Sequence, residues 1–417
     1  MDLATRRRRR SLFLFFLIPG LSISSWVTRT PDIRDRLHAS TGEMGLILFG
    51  LSVGSMIGIL CSGTLVSRFG TRPVMGLGTS MVVASTLVIG FGSLTTSSVT
   101  VTGGLCVMGA GMGAGEVAIN VDGADVERLT GTTVLPTLHG FFSLGTVVGA
   151  ALGMGATAAA LPVHWHLGVI TLVCVSLCAY ALRAVPDGTG RRRKDDAVDE
   201  AKAGTRPKVW KDRRLALIGA IVLAMALAEG AANDWLPLLM VDGHGLDATM
   251  GSVVYVGFAA AMAIGRFSGG FLLERFSRPA VVRGSAASAA VGLSLVIFSD
   301  SPLLAGISVL FWGLGSSLGF PLTLSAAGDS GPESAARVGF AATIGYIAFL
   351  VGPPGLGFIG DHYGLRSAML VVLACVAASF FIAPAVRRPA TRPLMVAAVN
   401  SADEAQQTGK GTEDVSP

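Results

Sequence analysis

Twelve apolar runs of membrane-spanning length are the feature that most constrains the fold of this chain. An α-helix needs about 20 apolar residues to cross a bilayer. The runs lie near 12–28, 42–66, 73–93, 99–121, 135–160, 164–185, 214–240, 249–273, 279–299, 302–326, 336–358 and 364–386. Charged residues make up only 14% of the chain, whereas soluble domains have about 25%. We therefore predict an all-α membrane protein with twelve transmembrane helices.

A short basic turn between the second and third runs occurs again between the eighth and ninth. The first copy reads Gly63-Thr-Leu-Val-Ser67-Arg68-Phe-Gly70-Thr-Arg72-Pro, and the second reads Gly270-Phe-Leu-Leu-Glu274-Arg275-Phe-Ser-Arg278-Pro. Their first glycines lie 207 residues apart (270 − 63), which is about half of the 417 residues. A repeat of half the chain length, with membrane runs around each copy, predicts two pseudo-symmetric six-helix bundles.

Polar segments divide the chain around these bundles. We predict a basic N-terminus over 1–11, a first bundle over 12–185, a linker over 186–213, a second bundle over 214–386 and a disordered tail over 387–417. If the N-terminus lies inside, the cytoplasmic segments hold about 27 of the 32 lysines and arginines, as the positive-inside rule requires. Both termini are therefore expected in the cytoplasm. The net charge of +5 comes from these flanks, including the arginine run 6–10, so we expect a lipid bilayer as partner and no nucleic acid.

Glycine pairs spaced four residues apart occur in the fourth and tenth runs. They are Gly109/Gly113, Gly111/Gly115 and Gly315/Gly319. These runs do not complete the G-x-G-x-x-G pattern of a dinucleotide-binding loop, and no strand precedes them. The G-x-x-x-G spacing instead favours close contacts between membrane helices.

Together these features resemble the major facilitator superfamily of transporters. The turn matches the motif G-x-x-x-D-R-x-G-x-R of that superfamily, except that Ser67 stands at the acidic position. Local strings resemble the branch that includes fucose–proton symporters; they include Glu116-Val-Ala-Ile-Asn120, His139-Gly-Phe-Phe142-Ser143 and Glu229-Gly-Ala-Ala-Asn233-Asp234-Trp235. The resemblance covers about 10–390 and implies a multi-pass permease of the bacterial cytoplasmic membrane that works by alternating access.

In that superfamily the turn motif forms a cytoplasmic gate, in which an acid and arginines hold the two halves together. The resemblance assigns the following residues to the gate: Gly63, Arg68, Gly70, Arg72, Arg266, Gly270, Glu274, Arg275 and Arg278. Because Ser67 stands where the motif has an acid, the strength of this gate is in question, whereas the fold is not.

An ionisable side chain within a membrane run is a functional candidate by default, because burying a charge in lipid is costly. Glu116 and Asn120 lie four residues apart on one predicted helix face, and so do Glu229 and Asn233. For Glu116 we weigh a proton-carrying or substrate-binding role against a structural contact with a neighbouring helix. The resemblance places this helix on the central cavity, which favours the first role.

The remaining candidates for substrate binding or proton coupling are Asp234, Trp26, Trp235, His139, Phe142 and Tyr346. Trp26 and Trp235 lie at matched places in the two halves. They could form an aromatic pair across a cavity that suits a sugar-like ligand, or they could belong to the belt of aromatic residues at the membrane interface. His139 opens its run, where a structural role competes with proton coupling.

The chain contains no Walker A motif, nucleophile elbow or H-E-x-x-H zinc motif. We therefore expect a secondary transporter of a small polar or amphipathic solute, monomeric, without a cofactor or metal, and driven by the proton gradient. Two alternatives stay open at this point. One is an efflux antiporter for drugs or metabolites, and the other is a membrane sensor or scaffold without transport activity. A membrane enzyme is disfavoured because no recognisable nucleophile or metal set is present.

Overall fold

The computed structural model describes residues 2–132, 134–191, 211–331 and 334–387. Over these ranges the chain is helical and contains no strand. The helices are α1 (Leu3–Val27), α2 (Thr30–Leu37), α3 (Thr41–Phe69), α4 (Thr71–Leu94), α5 (Ser98–Thr130), α6 (Leu135–Ala158), α7 (Val163–Leu182), α8 (Arg213–His244), α9 (Ala248–Arg275), α10 (Arg278–Phe298), α11 (Pro302–Gly328), α12 (Ser334–Tyr363) and α13 (Leu365–Ile382). All except α2 are long and apolar enough to cross a membrane. The predicted all-α fold with twelve transmembrane helices is confirmed.

Local sequence explains where the helices begin. Ser40 and Glu43 form a capping box at the start of α3, which satisfies backbone N–H groups that have no partner within the helix. At the start of α1 the side chain of Asp2 accepts a single capping hydrogen bond from the backbone N–H of Thr5. The first helix therefore begins at Leu3 rather than near residue 12, and the arginine run 6–10 is helical.

The two halves pack in the same pattern. In the first half α3 and α4 pack on α5, and α1 packs on α6. In the second half α9 and α10 pack on α11, and α8 packs on α12, which are the equivalent helices. The repeated turn thus marks a repeat of the whole bundle. Most of the predicted linker and of the predicted tail lies outside the described residues.

Glycines allow the closest helix contacts, as their spacing predicted. A Cβ atom at Gly113 would lie 2.5 Å from the carbonyl oxygen of Ser55 on α3, and a Cβ atom at Gly54 would overlap a backbone carbonyl of α5. On its other face α5 meets α4, where a Cβ atom at Gly78 would lie 2.7 Å from the carbonyl oxygen of Gly111. No side chain larger than hydrogen fits at these separations, so α5 forms the tightly packed centre of the first half.

The halves meet through α3 against α12 and α6 against α9. We call the end of the bundle that carries the α3–α4 turn the linker end, and the end that carries α2 the distal end. At the distal end Arg34 pairs with Asp242 of α8, and the backbone N–H of Gly42 donates to Asp361 Oδ1 of α12 at 3.2 Å. Polar contacts therefore join the halves at the distal end.

The linker end differs at the repeated turn. A Cβ atom added at Gly63 of α3 or at Gly270 of α9 would have no heavy atom within 4 Å, once the adjacent backbone of the same helix is left out. No other described helix therefore packs against α3 at Gly63 or against α9 at Gly270.

Candidate functional site

Arg266 is an arginine at mid-bundle that contacts both halves of the protein. Its Nη2 group donates to Glu229 Oε1 of α8 at 2.8 Å, and its Nη1 group donates to Ser143 Oγ of α6 at 3.0 Å. The side chains of Arg266 and Glu229 are 18% and 13% exposed. Glu229 lies midway along α8, so this ion pair is far from either membrane surface, where an unpaired charge would be costly.

Glu116 faces the same region from α5. It lies near the middle of that helix and its side chain is exposed. It is within electrostatic range of Arg266 and Glu229, and also of Tyr346 on α12. Because these neighbours belong to the second half, Glu116 lies where the two halves face each other. Within the described ranges its carboxylate has no ion-pair or hydrogen-bond partner.

We call Glu116, Glu229, Arg266 and Ser143 the central charge cluster. Two other sequence candidates lie beside it, one on each half. Asn120 follows Glu116 by one helical turn on α5 and is half-buried. Tyr346 on α12 is also half-buried. Three helices, α5, α8 and α9, thus bring opposite charges together at one depth, and α6 adds the hydroxyl of Ser143.

His139 and Phe142 flank the cluster on α6. The His139 ring is exposed, lies 4.8 Å from the ring of Phe16, and is within electrostatic range of Arg266. Phe142 is half-buried. Ser143 Oγ, which accepts from Arg266, also donates to the backbone oxygen of His139 at 3.3 Å. His139 therefore lies one turn nearer the linker end than the cluster does.

A second polar layer lies on the distal side of the cluster. Tyr255 of α9 donates its hydroxyl to Asn233 Oδ1 at 3.0 Å. Asn233 and Asp234 are half-buried, one turn beyond Glu229. In the described part of the chain Asp234 has no ion-pair or hydrogen-bond partner. Over the same ranges, no three His, Cys, Asp or Glu side chains are grouped to hold a metal ion.

The two matched tryptophans differ from the expectation. Trp26 is 1% exposed and Trp235 is 0% exposed, so neither indole faces an open cavity or the membrane interface. Trp235 packs against Gly357 of α12. Both rings are packed between helices at the distal end, where the halves contact each other, and they do not form an exposed aromatic pair in this conformation.

The arginines of the turn motif contact groups within their own halves. Arg72 pairs with Asp187 at 2.7 Å, and Arg278 pairs with Asp329 at 2.6 Å. The guanidinium of Arg68 lies 5.2 Å from the ring of Phe69, and that of Arg275 lies 4.2 Å from the ring of Phe271. Glu274 is exposed. None of these contacts joins the halves.

The structure does not place Arg266 in the cytoplasmic gate. The resemblance grouped it with the gate because it precedes the second turn in sequence. Eight residues lie between it and Arg275, however, so it is well inside α9, where it pairs with Glu229. It belongs to the central charge cluster.

The sequence interpretation also missed Arg8. It counted the arginine run 6–10 as an orientation signal, but Arg8 is 7% exposed and its Nε donates to Asp122 Oδ1 at 2.7 Å. Asp122 is fully buried and accepts a second bond from the Thr71 hydroxyl at 2.6 Å. Arg8 also pairs with Asp125 at 2.9 Å. One sequence feature could have predicted this ion pair. Asp122 and Asp125 are spaced i, i+3 at the end of an apolar run, which places both carboxylates on one face of α5.

The second half has a comparable cluster at its linker end. Asp212, which caps α8, pairs with Arg337 of α12 at 2.6 Å. Burial acts to raise the pKa of the Asp212 carboxyl, but the hydrogen bonds from Arg337 and from two backbone N–H groups outweigh it and lower this pKa. Arg337 also donates to Ser330 at 2.7 Å. Each half therefore has an ion pair that ties its first helix to a later one.

Comparison with known proteins agrees with this architecture. The family model of the Major Facilitator Superfamily matches residues 11–353. An uncharacterised transporter of this type from Yersinia pestis is 29% identical over 91% of this chain and 94% of its own length. A hexuronate transporter from Bacillus subtilis is 26% identical over 91% of this chain and 95% of its own length.

A solved structure shows the same fold at low identity. The fucose:proton symporter of E. coli, in a single-residue variant form, superimposes with a TM-score of 0.61 at 17% identity, over 91% of this chain and 98% of that one. With the family match and the repeated bundle, the expectation from the turn motif is confirmed: the chain belongs to the major facilitator superfamily.

Proposed function

We propose that this protein is a proton-coupled secondary transporter of a small polar solute, with the central charge cluster as its coupling site. The observation that carries the proposal is the position of Glu116. It is an exposed carboxylate at mid-membrane, in the cleft between the halves and within electrostatic range of an arginine. A carboxylate in such a place can bind and release a proton as the cleft opens to either side.

The relatives support a solute of this kind. One is named for hexuronates, and a structural neighbour is named for fucose and protons. The half-buried polar side chains of Asn120, Asn233 and Tyr346 could bind the hydroxyl or carboxyl groups of such a molecule. Uptake and efflux would use the same cluster and differ in the direction of proton movement.

The distribution of arginines supports an orientation in which the linker end faces the cytoplasm. The positive-inside rule puts the linker end in the cytoplasm. The unpacked positions at Gly63 and Gly270 then lie toward the cytoplasm, whereas the contact between Arg34 and Asp242 joins the halves on the outer side. A tag at residue 200 should react only from the cytoplasm, and a tag at Asp247 only from outside; the reverse pattern would refute this orientation.

The function can be tested in proteoliposomes that contain a pH-sensitive dye. Hexuronates, hexoses and amphipathic drugs would be added one at a time to protein-containing and empty vesicles. Proton uptake with one solute supports symport, and proton release supports antiport. If no solute from any class moves protons or itself, the protein acts as a sensor or scaffold instead.

Glu116→Gln tests the assigned residue, because it keeps the shape of the side chain and removes its titration. We expect uphill accumulation to be abolished, while exchange between pre-loaded vesicles continues. Glu43→Gln is a matched control, since Glu43 lies in the capping box at the distal end. Normal pH-dependent accumulation by Glu116→Gln would exclude Glu116 as the coupling site and make Glu229 the next candidate.

A further inference from the structure

The central charge cluster contains two glutamates and one arginine. Arg266 lies 2.8 Å from Glu229, and Glu116 has no ion-pair partner in the described part of the chain. If all three groups were ionised, the cluster would carry one net negative charge at mid-membrane. One bound proton makes it neutral, and an unpaired intramembrane charge is costly. The composition of the cluster therefore favours the binding of one proton.

Hydrogen bonds decide where that proton goes. The guanidinium of Arg266 is held at two points, by Glu229 and by Ser143 at 3.0 Å. This orientation directs it toward α8 and α6. Glu116 approaches from α5 and receives the field of Arg266 without a bond to it. The salt bridge is therefore made to Glu229, and Glu116 is left without one among the described residues.

We propose that Arg266 is a positioning residue: by pairing with Glu229 it leaves Glu116 free to carry the proton, one per transport cycle. The inference rests on the proposed function, to which it adds the role of the ion pair and the number of protons. Other groups face the cluster from the surrounding helices, namely Tyr346 from α12, His139 from α6, and Tyr255 and Asp234 from the distal layer. Unlike these groups, Arg266 keeps its positive charge at any physiological pH.

If Arg266 has this role, paired substitutions should have non-additive effects on Glu116. Glu229→Gln leaves Arg266 without its partner, so the guanidinium is free to pair with Glu116 and keep it ionised. Arg266→Gln leaves two glutamates without a cation, so both should bind protons. The double variant Glu229→Gln/Arg266→Gln removes one charge of each sign. It should restore a lone, proton-binding Glu116, whereas a merely structural ion pair would be lost equally in all three variants.

Dicyclohexylcarbodiimide can read this out without a known substrate, because it modifies protonated carboxyl groups in apolar surroundings. Purified full-length protein would be treated between pH 6 and 8, and the modified residue would be identified by mass spectrometry. In the wild type we expect modification at Glu116 and little at Glu229. In Glu229→Gln we expect Glu116 modification to fall by about tenfold or more, since an arginine at ion-pair distance favours the charged form by that factor. The double variant should recover to within about twofold of the wild type.

Asp234 provides an internal control, since it lies on α8 close to Glu229 and has no ion pair in the described residues. Its modification should change by much less than that of Glu116 in every variant. Preferential modification of Glu229 in the wild type would overturn the proposal even if a variant failed to fold. So would a double variant that stays as unreactive as Glu229→Gln. Proton-coupled transport without this labelling pattern would leave the proposed function intact and refute only the role of Arg266.

Discussion

The buried ion pair between Arg8 and Asp122 can be tested against its neighbours in the arginine run. Arg8 is 7% exposed and Asp122 is 0% exposed, so Arg8→Ala leaves an unpaired carboxylate inside the first half. Breaking a buried pair in this way costs about 3–5 kcal/mol. Thr71 still donates to Asp122 at 2.6 Å, which favours the lower end of that range.

A destabilisation of about 3 kcal/mol corresponds to a fall in Tm of about 6–12 °C for a unit of the size of one bundle. The melting temperature can be measured in detergent from tryptophan fluorescence or from the loss of the monodisperse peak in size-exclusion chromatography. Arg7→Ala is the matched control, because Arg7 belongs to the same run and is exposed. It removes the same charge from the same membrane flank, and we expect it to change stability by less than about 0.5 kcal/mol.

The double variant Arg8→Ala/Asp122→Ala adds a second test. If the cost of Arg8→Ala comes from the stranded carboxylate, removing Asp122 as well should recover part of the lost stability, because the two substitutions are coupled. Equal melting temperatures for Arg8→Ala and Arg7→Ala would refute the reasoning. Arg8 would then be one more orientation signal.

Three further predictions follow from particular contacts. Gly54→Leu should abolish folded protein, because its Cβ atom would overlap a carbonyl oxygen of α5, whereas Gly63→Leu on the same helix should be tolerated, since nothing lies within 4 Å of it; equal yields of monodisperse protein would contradict this packing. Asp242→Asn should weaken the contact with Arg34 and increase the labelling of cysteines introduced into the cleft from the distal side, and unchanged labelling would show that this ion pair does not hold the outer side closed. Arg68→Ala should slow transport without preventing membrane insertion, and unchanged kinetics would restrict the turn arginines to a role in orientation.

The number of helices and their duplication could be predicted because they depend on hydrophobicity along the chain. A run of apolar residues crosses a bilayer whatever its neighbours are, and the turn repeated at Gly63 and Gly270 survives as a local string. The close contacts of the fourth transmembrane helix could also be predicted, since the spacing of Gly109 and Gly113 creates a flat face by itself. Glu116 and Glu229 could be selected as candidates because a charge within an apolar run is costly wherever the helix packs.

The partners of individual side chains could not be predicted in this way. The sequence grouped Arg266 with the gate, counted Arg8 as an orientation signal, and left Trp26 and Trp235 as either a pair across a cavity or members of the interface belt. The structure places Arg266 on Glu229, buries Arg8 against Asp122 and buries both indoles. Each outcome depends on which helix faces arrive at the same depth, and residues such as Arg8 and Asp122 are far apart in sequence. Hydropathy and residue spacing along one helix do not show which face of another helix it will contact. Ion pairing and burial are therefore decided only when the helices pack.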